Sequence, residues 1–102
     1  MSIQLGPATL DQPVILAPMS GITDQPFRRL VRGFGVDVVV SEMIASAEQV
    51  RGSRLSNERT RWSPDEGLRV VQWAGCQAEP MALAARLNQD QGADVIDINM
   101  GC

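Results

Sequence analysis

Residues 14–43 read VILAPMSGITDQPFRRLVRGFGVDVVVSEM, and the fold turns on how this stretch divides. Val14 to Met19 is a short apolar run interrupted only by Pro18, and it reads as a buried strand. Thr23-Asp24-Gln25-Pro26 then supplies helix-start chemistry, a side chain able to cap and a proline in the first turn. Phe27, Leu30, Val31 and Phe34 follow at i, i+3, i+4 and i+7, one apolar helix face, and Gly35 ends the helix. Val36 to Met43 is a second apolar run, rich in valine, and reads as another buried strand. Strand, helix, strand over so few residues is a βαβ unit, which implies a parallel pair.

The same alternation continues downstream. Ile44 to Val50 reads as a short helix and Arg51 to Gly67 as a polar loop. Leu68 to Trp73 is a third strand, closed by Ala74-Gly75. Pro80 to Gln91 is a second helix, with proline near its start and Gly92 just past its end. Val95 to Asn99 is a fourth strand. Upstream, Ile3 to Leu10 around Gly6-Pro7 forms a small hairpin, placed to plug the bottom of a barrel. The chain is thus one α/β domain with a parallel sheet, and periodicity leaves an open doubly wound sheet and a barrel both in play. The fingerprint G-x-G-x-x-G is absent after the first strand, which weakens the dinucleotide-binding open sheet.

A complete (β/α)₈ barrel takes about 250 residues, and this chain has 102. Net charge is −3, which gives no global attraction to nucleic acid or to an anionic membrane. All nine cationic residues are arginine, with no lysine and no histidine. Cys76 and Cys102 have neither metal-ligand spacing nor a disulfide framework, so no metal is expected and a reducing cytoplasm is the expected compartment. Met1-Ser2-Ile3-Gln4-Leu5 has no basic leader, and no apolar run reaches the length of a membrane span.

In either architecture the ligand meets the C-terminal ends of the strands. Those ends are Ala17-Pro18-Met19-Ser20, Ser41-Glu42-Met43, Gln72-Trp73-Ala74-Gly75 and Asn99-Met100-Gly101-Cys102. Small residues and glycine around Pro18, Met19 and Ser20 let backbone groups approach a flat ligand, although a plain strand-to-helix turn has the same composition. Glu42 is either a buried, hydrogen-bonded carboxylate or a residue at the solvent edge. Gln72 carries an amide that can both donate to and accept from a ring edge, or bond a neighbouring loop. Cys102 offers a thiol with room beside Gly101, with Asn99 three residues before it; a lone cysteine is more often a small buried hydrophobe. Arg51, Arg54, Arg59 and Arg61 form either a phosphate-contacting patch or a solvated loop.

Taken together, L-A-P-M-S-G-I-T-D-Q-P-F-R, then V-S-E-M, V-Q-W-A-G and D-I-N-M-G-C, in this order and spacing, resemble the tRNA-dihydrouridine synthases from Val14 to Cys102. The Asp-Ile-Asn-Met form resembles the bacterial branch. The resemblance implies the N-terminal portion, about four strands, of a (β/α)₈ TIM barrel. It implies FMN as cofactor, NADPH as reductant and tRNA as partner. By position, the backbone at Pro18, Met19 and Ser20 would line the flavin, and Gln72 would bond its pyrimidine edge. Asn99 would help place the flipped uracil, and Cys102 would be the proton-donating cysteine. The family's flavin-contacting lysine, its neighbouring histidine, its phosphate-binding glycine loop and its helical tRNA-binding domain would all lie beyond Cys102. Residues 1–102 are therefore expected to be an incomplete catalytic domain, inactive alone. The competing expectations are a barrel reductase of free pyrimidines, of the dihydroorotate or dihydropyrimidine dehydrogenase type, and a non-enzymatic remnant.

Overall fold

A computed structural model describes residues 1–46 and 54–101. Strands β1 (Ile3–Leu5) and β2 (Ala8–Leu10) form the expected antiparallel hairpin around Gly6-Pro7. Next come β3 (Ile15–Leu16), helix α1 (Gln25–Arg32), β4 (Val38–Val39) and β5 (Ile44–Ala45). After them follow α2 (Arg54–Arg59), a 3₁₀ turn (Pro64–Glu66), β6 (Val70–Ala74), α3 (Ala78–Asp90) and β7 (Val95–Ile98).

Strand β3 pairs parallel with β4, β5 with β6, and β6 with β7. Val40 bridges Val70, and the Ser41 amide donates to the Val70 carbonyl at 3.1 Å. Strands β4 and β5 are thus two halves of one strand running beside β6. From the Val40↔Val70 pair to the Ile44↔Trp73 pair, one side advances four residues (40 to 44) and the other three (70 to 73). The extra residue is a bulge over Ser41–Met43, and bulges re-aim side chains where they occur. The parallel strands therefore cross the sheet in chain order, β3, β4–β5, β6, β7. Both common doubly wound orders break chain order at a switch point; this sheet has none among the described residues.

The two faces of the sheet are occupied differently. Side chains alternate along a strand, so Val71 and Trp73 of β6 point one way and Val70 and Gln72 the other. Ile44, Val71 and Trp73 pack with Ala84 of α3, joined by Met81, Ala85, Ala93 and Ile96. On the opposite face, Val38, Val40 and Val70 pack with Leu10 of the hairpin, joined by Leu5, Leu68 and Val95. Val70 and Val95 begin their strands, so the hairpin closes the N-terminal end of this face, as the sequence suggests. Beyond Val70 and Val95, the C-terminal half of that face carries polar side chains, Gln72 and Asp97.

Several local expectations need correction. Ile44–Val50 is not a short helix at its start: Ile44–Ala45 is strand β5, because the bulge restores pairing with Trp73 and Ala74, and residues 47–50 lie outside the described residues. Arg51–Gly67 is not simply a loop: of it, 51–53 lie outside the described residues, while 54–59 are helical and 64–66 make a 3₁₀ turn. That turn carries a capping box, with Glu66 Oε2 accepting from the Ser63 amide at 2.7 Å and from the Ser63 hydroxyl at 2.9 Å. The first apolar run is not a buried strand along its length, since Val14 is 60% and Ile15 52% exposed. The expected face of α1 is only partly covered: Phe27 and Val31 are half-buried, Leu30 is 62% exposed, and Phe34, 83% exposed, falls past the helix, which ends at Gly33 rather than Gly35. The residue that α1 buries completely is Arg28.

Candidate active site

The turn after β3 is held in shape by its own side chains. The Ile22 and Thr23 amides both donate to the Met19 carbonyl, at 3.0 and 2.9 Å. Thr23, fully buried, accepts from the Met19 amide at 2.9 Å through Oγ1 and donates to the Met19 carbonyl at 3.2 Å. Asp24 then caps α1 by accepting from the Phe27 amide at 3.1 Å. Gly21 takes φ +77°, a conformation that residues with a Cβ rarely adopt. Within this frame Pro18 is half-buried while Met19 and Ser20 are exposed at the strand end.

Glu42 ties that turn to the next strand. It is 6% exposed, and its Oε1 accepts from the Gly21 amide at 2.5 Å. Of the two readings open for Glu42 in the sequence, the buried, hydrogen-bonded carboxylate is the one observed. The bulge supplies the reason, by changing the alternation of side chains just where Glu42 stands. Arg59 holds the following residue, donating to the Met43 carbonyl at 3.1 Å. Replacing Glu42 with alanine leaves the Gly21 amide without this acceptor. The expected loss is ~1–3 kcal/mol, read as a lower midpoint of urea denaturation. Glu42→Gln, which keeps an acceptor oxygen, is expected to recover most of it; equal losses in both variants would show that the hydrogen bond is not what matters.

A second polar group occupies the ends of β6 and β7. Gln72, 7% exposed, lies beside Asp97 in the parallel register, on the face away from α3. Its Nε2 donates to Asp97 Oδ2 at 2.5 Å. Asn99 extends the row, its Nδ2 standing 3.4 Å from Gln72 Oε1. The Asn99 amide continues the ladder to the Trp73 carbonyl at 3.0 Å, and its Oδ1 accepts from the Gly101 amide at 2.9 Å. Gln72 and Asn99 are thus brought together, with Asp97 between strand and solvent as a member that sequence reasoning gave no role. Its position two residues after Val95, on the face of Gln72, was the available signal. Cys102 lies outside the described residues. Of the arginine patch, Arg51 also lies outside them, and Arg59 faces the Met43 carbonyl.

Behind the first turn lies a buried ionic cluster that the sequence did not announce. Arg28 and Glu66 are both fully buried, with Nε and Oε1 3.4 Å apart. The Arg28 guanidinium donates to the Thr23 carbonyl at 2.8 Å and to the Arg61 carbonyl. It also stands 5.4 Å from the centre of the Trp62 ring, a cation–π contact. Glu66 Oε2 accepts in addition from Gln25 Nε2 at 3.0 Å. Burial pushes the Arg28 guanidinium below its ordinary value, and the neighbouring Glu66 carboxylate opposes that shift; an arginine remains charged through it. The cluster fixes α1 and the residues before the third parallel strand to the base of the Met19–Thr23 turn.

The polar C-terminal ends of the parallel strands in the described chain therefore lie along one edge of the sheet. Rigid strands end there, and the side chains reaching past them are a buried carboxylate, two amides and an acidic partner. No helix among the described residues is long and apolar enough to cross a membrane, and no cluster of three or more metal-ligating side chains occurs among them. Comparison with known proteins matches residues 15–102 to the family described as Dihydrouridine synthase. A probable tRNA-dihydrouridine synthase of Rhodobacter capsulatus is 50% identical over 103 aligned residues, covering 100% of this chain and 32% of its own length. The tRNA-dihydrouridine synthase B of Shewanella oneidensis is 48% identical, covering 98% of this chain and 31% of the relative. That of Pseudomonas syringae is 50% identical, over 99% of this chain and 30% of the relative. The chain thus spans less than a third of the length of these curated relatives. No solved structure gives a significant match.

Proposed function

Because the chain belongs to the dihydrouridine synthase family, we propose that residues 1–102 form the N-terminal part of a flavin-dependent (β/α)₈ barrel that reduces a uridine of tRNA to 5,6-dihydrouridine. The observation that carries this reading is the family match over residues 15–102. The unbroken strand order supports the barrel, in which successive strands pair in sequence until closure. The exposed Leu30 of α1 and Phe34 just past its end and the unpaired outer edges of β3 and β7 among the described strands are surfaces that the rest of a barrel would cover. The remaining strands, the phosphate site and a helical tRNA-binding domain belong, on this reading, to the rest of a full-length protein.

The residues present fit the ring of FMN. Gln72 is buried at a strand end, and among the described residues its Oε1 meets one donor, at 3.4 Å, which leaves acceptor capacity for a ring N–H. The backbone at Pro18, Met19 and Ser20 would line the ring, with Glu42 holding the turn beneath them. When bound and reduced by NADPH, FMN would supply the hydride for carbon 6 of the uracil, which is the cofactor's chemistry. The chain's own part is to orient and to protonate. Asn99 would hold the uracil ring, and Cys102 would deliver a proton to carbon 5 as general acid. The target base has to leave its stack to reach these groups. A site acting on tRNA in this way works in the cytoplasm.

The test is substrate choice in the full-length protein. NADPH oxidation is expected with tRNA lacking dihydrouridine and not with free uracil or orotate. Turnover of the free pyrimidines but not of tRNA would assign the barrel to pyrimidine metabolism instead.

A further inference from the structure

Gln72 stands in a chain of polar groups with a direction, and that direction is set by Asp97. The two residues are direct neighbours in the register of β6 and β7, on the face away from α3. Gln72 Nε2 lies 2.5 Å from Asp97 Oδ2. An ionised carboxylate only accepts, so the side of the amide that faces it must be the NH₂. Turning the amide over would set Oε1 against the carboxylate oxygen, two acceptors in contact with no proton between them. Amide orientation, so often ambiguous, is here fixed by its partner's chemistry.

The opposite end of the amide is then decided as well. Gln72 Oε1 points away from Asp97, toward Asn99 Nδ2 at 3.4 Å. That is longer than the usual ~2.9–3.0 Å of an N–H···O bond. Asn99 is itself pinned through its other end, where Oδ1 accepts from the Gly101 amide at 2.9 Å. Carboxylate, amide and amide thus line up so that a buried carbonyl oxygen with a free lone pair is what Gln72 offers to a ligand.

We infer that Asp97 is a positioning residue, holding the Gln72 amide with its carbonyl turned to the ligand, so that this strand end selects a flat heterocycle with an N–H donor on its edge. The inference rests on the flavin reading above and deepens it. The pyrimidine edge of an isoalloxazine carries one N–H between two carbonyls. Gln72 Oε1 accepts from that N–H, and Asn99 is left to the uracil ring. Asp97 touches no ligand in this arrangement. It removes the alternative amide orientation in advance, which lowers the cost of ordering on binding.

The experiment compares two flavins on the full-length protein, FMN and its N3-methyl derivative, which lacks the N–H. Dissociation constants are read by flavin fluorescence for wild type, Asp97→Asn, Gln72→Ala and the double variant. The asparagine side chain is isosteric with aspartate and can present either an oxygen or an NH₂, so Asp97→Asn preserves the packing and releases the amide. Asp97→Asn is expected to weaken FMN roughly three- to tenfold, the worth of one neutral hydrogen bond, and to change the methylated flavin less than about twofold. In the Gln72→Ala background the same substitution is expected to do nothing further, because the two residues act as one unit. Equal weakening of both flavins, or an Asp97→Asn effect that persists without Gln72, would overturn the inference while leaving the flavin reading intact. So would an Asp97→Asn variant that matches wild type on FMN. A wild-type protein that binds neither flavin would overturn the functional reading itself, and the inference with it.

Discussion

Cys102→Ala is expected to lower turnover on tRNA by ~10²–10⁴-fold in the full-length protein, the usual worth of a positioned general acid. FMN affinity is expected to stay at the wild-type level, because the groups proposed to hold the ring are Pro18, Met19, Ser20 and Gln72. The separation of the two effects is the substance of the prediction. A packing role for Cys102 would move binding, stability and turnover together, as a small buried thiol does when it is truncated. The measurement is a paired one, steady-state turnover on tRNA and flavin dissociation constant, on wild type and variant. A turnover loss below about tenfold, or a matching loss of FMN, would take the acid's role away from Cys102.

Arg28→Met is expected to destabilise the fold by ~3–5 kcal/mol, the cost of leaving one charge of a buried pair without the other. Glu66 would remain fully buried, and the Thr23 and Arg61 carbonyls would each lose a guanidinium donor. The ring of Trp62 would lose its cation as well. Converting both partners, Arg28→Met with Glu66→Gln, is expected to cost less than the sum of the two single changes, because the second removes the charge that the first orphaned. Urea denaturation of the four proteins gives the coupling directly. A single Arg28→Met variant within about 0.5 kcal/mol of wild type would place it among ordinary surface changes and contradict the anchoring role.

The exposed ion pair nearby makes a useful contrast. Arg29 and Asp65 meet at 2.9 Å, with side chains 55% and 60% exposed. The Asp65 carboxyl sits below its ordinary value, chiefly through the Ser63 hydroxyl and then through Arg29. A depressed carboxyl contributes stability above its unfolded pKa and loses it as pH falls. For so exposed a group that contribution is screened and small. Adjacent arginines on one helix thus carry very different weight, Arg28 by burial and Arg29 by none.

How much of this is open in the sequence depends on whether local chemistry or distant neighbours decide the outcome. The α1 start follows from Asp24 and Pro26, and the hairpin from Gly6-Pro7 between two triplets that alternate apolar and polar, because caps and turns are local. Proline places the start of α3 two residues late, at Pro80 rather than Ala78. It is tolerated anywhere in a first turn, where the N–H groups have no helical partner. The split of the second strand is not legible, since a bulge is set by register against β6, a partner 30 residues away at Val70. The burial of Arg28 is hidden for the same reason: its partners Arg61, Trp62 and Glu66 lie in a stretch that reads as polar loop. The Ser63-to-Glu66 capping box, by contrast, stands in the sequence as S-x-x-E, though no apolar run follows it to signal a helix. Of the strand ends at the site, Glu42, Gln72 and Asn99 are legible, but only pairing of β6 with β7 reveals that Asp97 accepts from Gln72.

The most direct test of the proposed site is a crystal structure of the full-length protein with FMN bound. The ring is expected at the C-terminal ends of β3 to β7, over the backbone of Pro18, Met19 and Ser20. Its pyrimidine edge should meet Gln72 Oε1, with Asp97 still accepting from Gln72 Nε2. A flavin bound at any other face of the sheet, or at this one with the Gln72 amide reversed or turned away, would contradict the account.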